Sequence, residues 1–306
     1  MNDPSYWKRY ILELDPDEVA RRLEMVLVSS AREPLELLHL AADRGAPCVV
    51  ISPGSGGHAY VFAELGYRIN ARGYNVFIMP KQGGRTISEL VDRHELALGH
   101  IASRWNERIG VFAEGLGGFA AFYLALRGAP VQSAIYQNAP AILDEPAFRD
   151  ATMRGRGSRR RRALLPVARA LARIRPGTTM PIRSYLDFRE MVDPVEPAHA
   201  IEARLVDAYE RDPGFDRRYP IAAILSLLDT PPPRPLAELQ MPTMFVVPTR
   251  GFAPDYIRAL FGRLPPLDKK LVEVDGSVFW MCSHSRDAAE LICNRFKETI
   301  AAAAAA

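Results

Sequence analysis

The residues with the greatest chemical promise lie in one run, Gly110-Val111-Phe112-Ala113-Glu114-Gly115-Leu116-Gly117-Gly118. Ile109 to Ala113 has the length and composition of a buried strand, and Phe119 to Arg127 that of a helix. The glycines between them mark a sharp strand-to-helix turn. Such a junction either presents a nucleophile on an elbow or points backbone N–H groups at an anion or a developing oxyanion. The position where a nucleophilic serine would stand holds Gly115, which has no side chain to form a covalent intermediate. The chemistry left is that of Glu114, of the backbone N–H groups around Leu116 and Gly117, and of the loops that the fold brings alongside.

Those loops are carried by further strands. Cys48-Val49-Val50-Ile51-Ser52 is a continuous, largely β-branched run, the mark of a strand covered on both faces, and it ends in Pro53-Gly54-Ser55-Gly56-Gly57-His58. Asn75 to Met79 ends in a second glycine-rich turn, Pro80 to Gly84. Helical patterns over Tyr60 to Arg72 and Ile87 to Trp105 separate these strands, and Ala134 to Asn138 follows the elbow helix. The alternation predicts an α/β fold: a mostly parallel sheet with helices on both faces and ligand-binding loops at the strands' carboxyl ends. Ahead of it, Pro16 to Leu23 reads as a short helix, and Met25 to Val28 with Leu35 to Leu40 as an entry hairpin.

From Pro140 to Pro235 the alternation stops, and helix-like, proline-interrupted stretches take over. The expected organisation is a first part of the core over 1–140, an inserted helical cap over 141–235, and a second part of the core over 236–300. That second part comprises Pro242 to Val247, a helix Asp255 to Arg263, Lys270 to Asp275 and a last helix from about Arg286 to Ile300. The alanine run 301–306 carries no packing pattern.

With 306 residues, 48% hydrophobic and 25% charged, the chain can bury a sizeable core, and its net charge of +3 is too small to argue for nucleic acid. No apolar run approaches the roughly 18 residues of a membrane span, and Met1 to Tyr10 lacks the apolar segment of a signal peptide, so a cytoplasmic location is expected. Cys48, Cys282 and Cys293 form neither a metal spacing nor an even disulfide set. Between Arg149 and Arg175 ten arginines face one acid, Asp150. The densest part, Arg154 to Arg162, is either a solvated loop or a site for an acidic partner or carrier; without interleaved aromatic residues a nucleic acid is not expected.

Taken together, the motifs resemble the α/β-hydrolase superfamily in its cap-bearing, monoacylglycerol-lipase-like and serine-aminopeptidase-like form. Pro53 to His58 is similar to the oxyanion loop, with Pro-Gly in place of its opening His-Gly. Arg72-Gly73-Tyr74-Asn75-Val76 is similar to the lead into the next strand, and Ala113 to Gly118 occupies the G-x-S-x-G-G elbow. The resemblance implies a triad of serine, histidine and acid beside an oxyanion hole. Its serine is replaced by Gly115. Its acid is expected near Gly251, with Asp255 four residues late and also suited to a helix N-cap. Its histidine is expected at Val278 or Phe279, with His284 further on. The triad therefore reads as degenerate.

What remains is a site made of Gly54, Ser55, Gly56, His58, Leu116, Gly117 and Phe279, with Glu114, His284 and Asp255 as candidate catalytic groups around the vacant Gly115. The reading this favours is binding of an acyl, keto or ester-like small molecule and non-hydrolytic cyclase, isomerase or lyase chemistry by oxyanion stabilisation, with no cofactor or metal. A serine esterase disabled at Gly115, or acting through a displaced Ser55 or Cys282, stays open. So does a non-catalytic binding or scaffold protein using the basic cap. Gly115 to Ala120 also fits the dinucleotide fingerprint, but the strand that should end in its ribose-binding acid ends in Gln137-Asn138.

Overall fold

The computed structural model describes residues 5–30, 33–152, 158–182, 200–265 and 268–300, with the side chains of 158–162 excepted. Along the chain the elements are α1 (Pro16–Arg22), β1 (Leu23–Val28), β2 (Leu35–Leu40), β3 (Cys48–Ser52), α2 (Ala63–Asn70), β4 (Asn75–Ile78), α3 (Ile87–Arg104), β5 (Ile109–Glu114), α4 (Gly115–Arg127) and β6 (Ser133–Gln137). Next come α5 (Pro146–Thr152), α6 (Ser158–Ile174), β7 (Thr179–Pro181), α7 (Ala200–Arg211), β8 (Arg218–Pro220) and α8 (Ile221–Asp229). The chain then returns through β9 (Thr243–Arg250), α9 (Pro254–Arg263), β10 (Lys269–Ser277), the short α10 (Trp280–Ser283) and α11 (Ser285–Ile300).

Eight strands form one sheet in the order β1-β2-β4-β3-β5-β6-β9-β10. The expected entry hairpin is β1 on β2, antiparallel, and β2 also runs antiparallel to β4. Every pairing from β4 to β10 is parallel. The elbow strand β5 lies between β3 and β6, with Ser52 opposite Ala113 and Glu114 opposite Gln137. This register brings the loops after β3, β5 and β6 to one edge of the sheet. β7 and β8 form a separate antiparallel pair.

The continuous apolar strands are explained by the two layers of helix that cover them. Because side chains alternate across a strand, Val50, Phe77 and Val111 enter one core with residues of α3, α4 and α9. Val49, Ile51, Val76 and Phe112 enter the other with residues of α2 and α11. Helix α3 starts on a capping box, in which the Thr86 side chain accepts from the Glu89 N–H and Glu89 accepts from the Thr86 N–H. Three local expectations need correction. The glycines before Phe119 belong to α4 itself; Tyr60 to Phe62 lies in a 3₁₀ turn that precedes α2; and the loop after β10 contains the helix α10. Among the described residues no helix is long and apolar enough to cross a membrane.

Candidate functional site

The turn from β5 into α4 is sharp and has no side chain at position 115. Gly115 has φ +49°, in the left-handed region that a non-glycine residue occupies only under constraint. A Cβ placed there would lie 3.4 Å from Gly54 Cα and 3.9 Å from the Ser55 nitrogen, ordinary contact distances. The vacancy therefore faces the Gly54–Ser55 backbone. On its other flank Leu116 lies in the first turn of α4, where N–H groups have no partner within the helix. The Gly117 N–H donates to the Pro53 carbonyl at 3.1 Å, which ties the helix start to the loop after β3.

Glu114, the last residue of β5, turns its carboxyl into the same corner. It accepts hydrogen bonds from the Gly54 N–H and the Asn138 side chain, and a side chain at position 54 would collide with its Oε2. The residue keeps some exposure to solvent, while its carboxyl is crowded by the Gly54 backbone, Asn138 and other protein groups. Burial pushes its pKa up to about 8, against the opposing pull of its two hydrogen bonds. A carboxyl in that state holds or releases a proton near neutral pH.

Asn138 packs beside Gly251, the residue near which the resemblance places an acid. It has φ 52°, accepts from the Phe252 N–H at 3.3 Å, and donates to the Val278 carbonyl at 3.5 Å. A Cβ at Gly251, the expected acid slot, would stand 2.5 Å from Asn138 Oδ1. The Asn138 amide holds the end of β6 to the segment after β9 and to the loop after β10.

The other expected site residues divide into two groups. Ser55 is held by the Tyr209 hydroxyl, which donates to its carbonyl at 2.8 Å. Gly56 and Gly57 leave room for Phe215 and Tyr209, and Phe279 packs edge-on to Tyr209, with ring centroids 5.4 Å apart. These residues lie around the loops after β3 and β10. His284 has other partners: its Nδ1 is 2.9 Å from Ser283 Oγ and its ring stacks on Trp280. Asp255 is exposed in the first turn of α9, paired with Arg258 at 2.9 Å, and the N-cap of that helix is Ala253, so the capping expectation for Asp255 is not met.

His58 does have an acid partner, one that sequence reasoning missed. Its Nε2 lies 2.7 Å from Asp212, which also accepts from Tyr10 Oη and the Gly214 N–H, each at 2.6 Å. Burial alone would raise the Asp212 carboxyl, but the hydrogen bonds from His58 and Tyr10 outweigh it and leave the pKa lowered. Asp212 follows α7, far along the chain, and no spacing rule connects the two. Also unforeseen is Glu202 on α7, buried, accepting from the Ser277 N–H at 2.9 Å and paired with Arg250 at 3.3 Å. A third pair, Ser52 and His94, is sealed in the core. The His94 Nδ1–H donates to the Leu90 carbonyl, so Nε2 accepts from Ser52 Oγ at 2.7 Å, and burial lowers His94 to about 4. Full burial of both residues makes it a structural tie between β3 and α3.

Of the alternative nucleophiles, Cys282 is a poor one: burial and the nearby Glu114 charge push its thiol far up. Cys48 and Cys293 are buried with thiols raised to about 12 and about 11. Arg154 to Arg162 lies outside the described side chains. Among the described residues no group of three His, Cys, Asp or Glu could hold a metal. A pyrophosphate at α4 would meet the Glu114 carboxyl and a helix start whose Gly117 N–H is already used, which counts against the dinucleotide fingerprint.

No protein-family model and no curated protein matches the sequence. Solved structures do. A monoacylglycerol lipase from Paleococcus ferrophilus is similar at 18% identity over 85% of this chain and 99% of its own, with a TM-score of 0.63. A structure of DcsB in complex with its substrate analogue aligns at 17% identity over 91% and 99%, TM-score 0.67. The epoxide hydrolase VrEH1 from Vigna radiata aligns at 14% over 91% and 99%, TM-score 0.59. Identities this low speak for the architecture alone.

Proposed function

The chain has an α/β-hydrolase fold, and from that premise we propose that it binds a small carbonyl compound of acyl, keto or ester type at the vacated elbow. There it carries out non-hydrolytic proton transfer of the isomerase, lyase or cyclase kind. Glu114 is the acid–base group, and the Ser55 and Leu116 N–H groups polarise the carbonyl oxygen. Residues 141–235 serve as the cap, with α7 closing over the site through Tyr209 and Asp212.

The observation that carries this reading is the pairing of an open nucleophile slot at Gly115 with an enclosed carboxyl at Glu114 whose pKa is about 8. A base acting α to a carbonyl works best when its pKa lies near the operating pH and an oxyanion forms beside fixed donors. Hydrolysis through a serine would need in addition a nucleophile at 115, an acid near Gly251 and a histidine near Phe279, and the sequence has none of the three there.

Deuterium incorporation at the α-carbon of a panel of β-dicarbonyl compounds, followed by NMR, tests the proposal. Catalysed exchange lost in Glu114→Gln is the expected result, and exchange unchanged by that substitution would refute it. The disabled-esterase reading is tested by Gly115→Ser. With no acid at Gly251 and no histidine at Phe279, we expect the variant to resist fluorophosphonate labelling; rapid labelling with turnover of short acyl esters would restore that reading.

A further inference from the structure

The edge of the sheet opposite the elbow carries a cleft of its own. It opens at the amino ends of β3 and β4, has a volume of about 480 Å³, and is lined chiefly by His39, Arg44, Asn75, His100, Arg104 and Trp105. That is the size of a small-molecule site. One wall is aromatic and closely packed. The buried His39 ring stacks on Phe77 with centroids 4.4 Å apart, and Trp105 meets both rings edge-on, at 5.5 and 4.9 Å. His100, near the end of α3, lies 5.7 Å from the Trp105 ring.

The charge of the cleft is of one sign. Its lining contains no acidic residue. Arg44 and Arg104 are exposed, and neither forms an ion pair among the described residues. Arg104 alone would be expected, since it is the last residue of α3 and a cation there complements the helix dipole. Arg44 comes from the loop between β2 and β3 and has no such account. Burial holds both histidines toward the neutral form, helped at His100 by the Arg104 charge, so the positive charge is that of the two arginines. Glu24 lies on the far side of the His39 ring, 3.6 Å from its Nδ1.

The loop that presents Arg44 is tied down on both sides of it. Asn75 Nδ2 donates to the Asp43 and Ala46 carbonyls at 3.0 and 3.3 Å, and Asn75 Oδ1 accepts from the Ala42 N–H at 2.9 Å. Asn106 and Arg108 both donate to the Gly45 carbonyl. A loop fixed in this way offers its arginine without the ordering cost that a free loop would incur on binding.

We propose that this cleft binds a small aromatic acid, a planar ring carrying a carboxylate or a phosphate, with the oxyanion held by Arg44 and Arg104 and the ring against Trp105. Paired arginines suit an oxyanion because each guanidinium can donate two parallel hydrogen bonds, and an aromatic wall favours a flat ring over an aliphatic chain. The site is separate from the elbow, and it stands whether or not the elbow performs the chemistry proposed above.

The test is titration of the full chain with phenyl phosphate, benzoate, benzamide and inorganic phosphate, followed by NMR at the Trp105 indole N–H, whose resonance Trp105→Phe identifies. Saturable shifts of that resonance are expected with at least one of the two aromatic acids, at an affinity at least about tenfold above that for benzamide or inorganic phosphate. The tighter of the two acids tells phosphate from carboxylate. Arg44→Gln and Arg104→Gln should each weaken binding by about tenfold or more, and circular dichroism checks that these exposed substitutions leave the fold intact. No saturation with either acid up to about 10 mM would overturn the proposal. Inorganic phosphate binding as tightly would reduce the site to a cationic patch, and benzamide binding as tightly to an uncharged ring contact; either result overturns it. So does binding that leaves the Trp105 resonance unmoved or survives both arginine substitutions, which would place the ligand elsewhere.

Discussion

At the scale of single residues, the behaviour of Glu114 follows from what encloses it. In an unfolded chain its carboxyl ionises near the ordinary value of 4.5, and in the fold near 8. Between these values the folded state keeps a proton that the unfolded state has lost, so stability falls as pH rises across that window and is undiminished below it. Glu114→Gln, which keeps the shape and removes the charge, should therefore be more stable than the parent near pH 9, by at most about 5 kcal/mol at about 1.4 kcal/mol per pH unit of the window, and indistinguishable near pH 4. Denaturant unfolding at the two pH values measures this, and a difference independent of pH would mean that the carboxyl is not enclosed. None of this was legible in the sequence. Glu114 was readable as a polar residue in the elbow, but its environment is assembled from Gly54, Asn138, Tyr209 and Cys282, which arrive from four separate segments.

At the scale of elements, the glycines of α4 turned out to do two different things. Gly115 supplies a left-handed backbone, as the elbow pattern predicts. Gly117 is inside the helix and is small because α4 presses on the end of β3: a Cβ there would collide with Ser52 Oγ and stand 2.5 Å from the Pro53 carbonyl oxygen. Gly117→Ala should accordingly cost about 2–3 kcal/mol despite alanine's better helix propensity. Gly99→Ala on α3, where a Cβ meets nothing within 4 Å, should gain about 0.5–1 kcal/mol. Melting temperatures of the two variants compare them directly, and a stabilised Gly117→Ala would show that α4 is not held this closely. Strand and helix types were legible because apolar period and glycine punctuation are local. The helix start was misplaced because a glycine needed for packing looks, in sequence, like a glycine needed for a turn.

At the scale of the whole molecule, α7 is the element that binds distant parts of the site edge together. Glu202 holds the end of β10 and Arg250, Tyr209 holds the loop after β3, and Asp212, just beyond the helix, holds His58 and Tyr10. Removing Glu202 leaves the Ser277 N–H without its acceptor and Arg250 without its buried partner. Glu202→Ala is expected to cost about 3 kcal/mol, with hydrogen exchange rising more in α7 than in β5. Uniform exchange across both elements would show that α7 is not separately anchored.

The sequence by itself determined the alternation of strands and helices, the glycine-rich turn after β5 and the loops that gather at one sheet edge, because each depends on neighbours within a few positions. Only the tertiary structure decided that Asn138 packs beside Gly251, that Phe279 packs on Tyr209, that Asp212 partners His58, and that burial raises the Glu114 carboxyl. Those outcomes depend on contacts between residues far apart in the chain, and burial and hydrogen bonding of that kind leave no periodic trace in the order of amino acids.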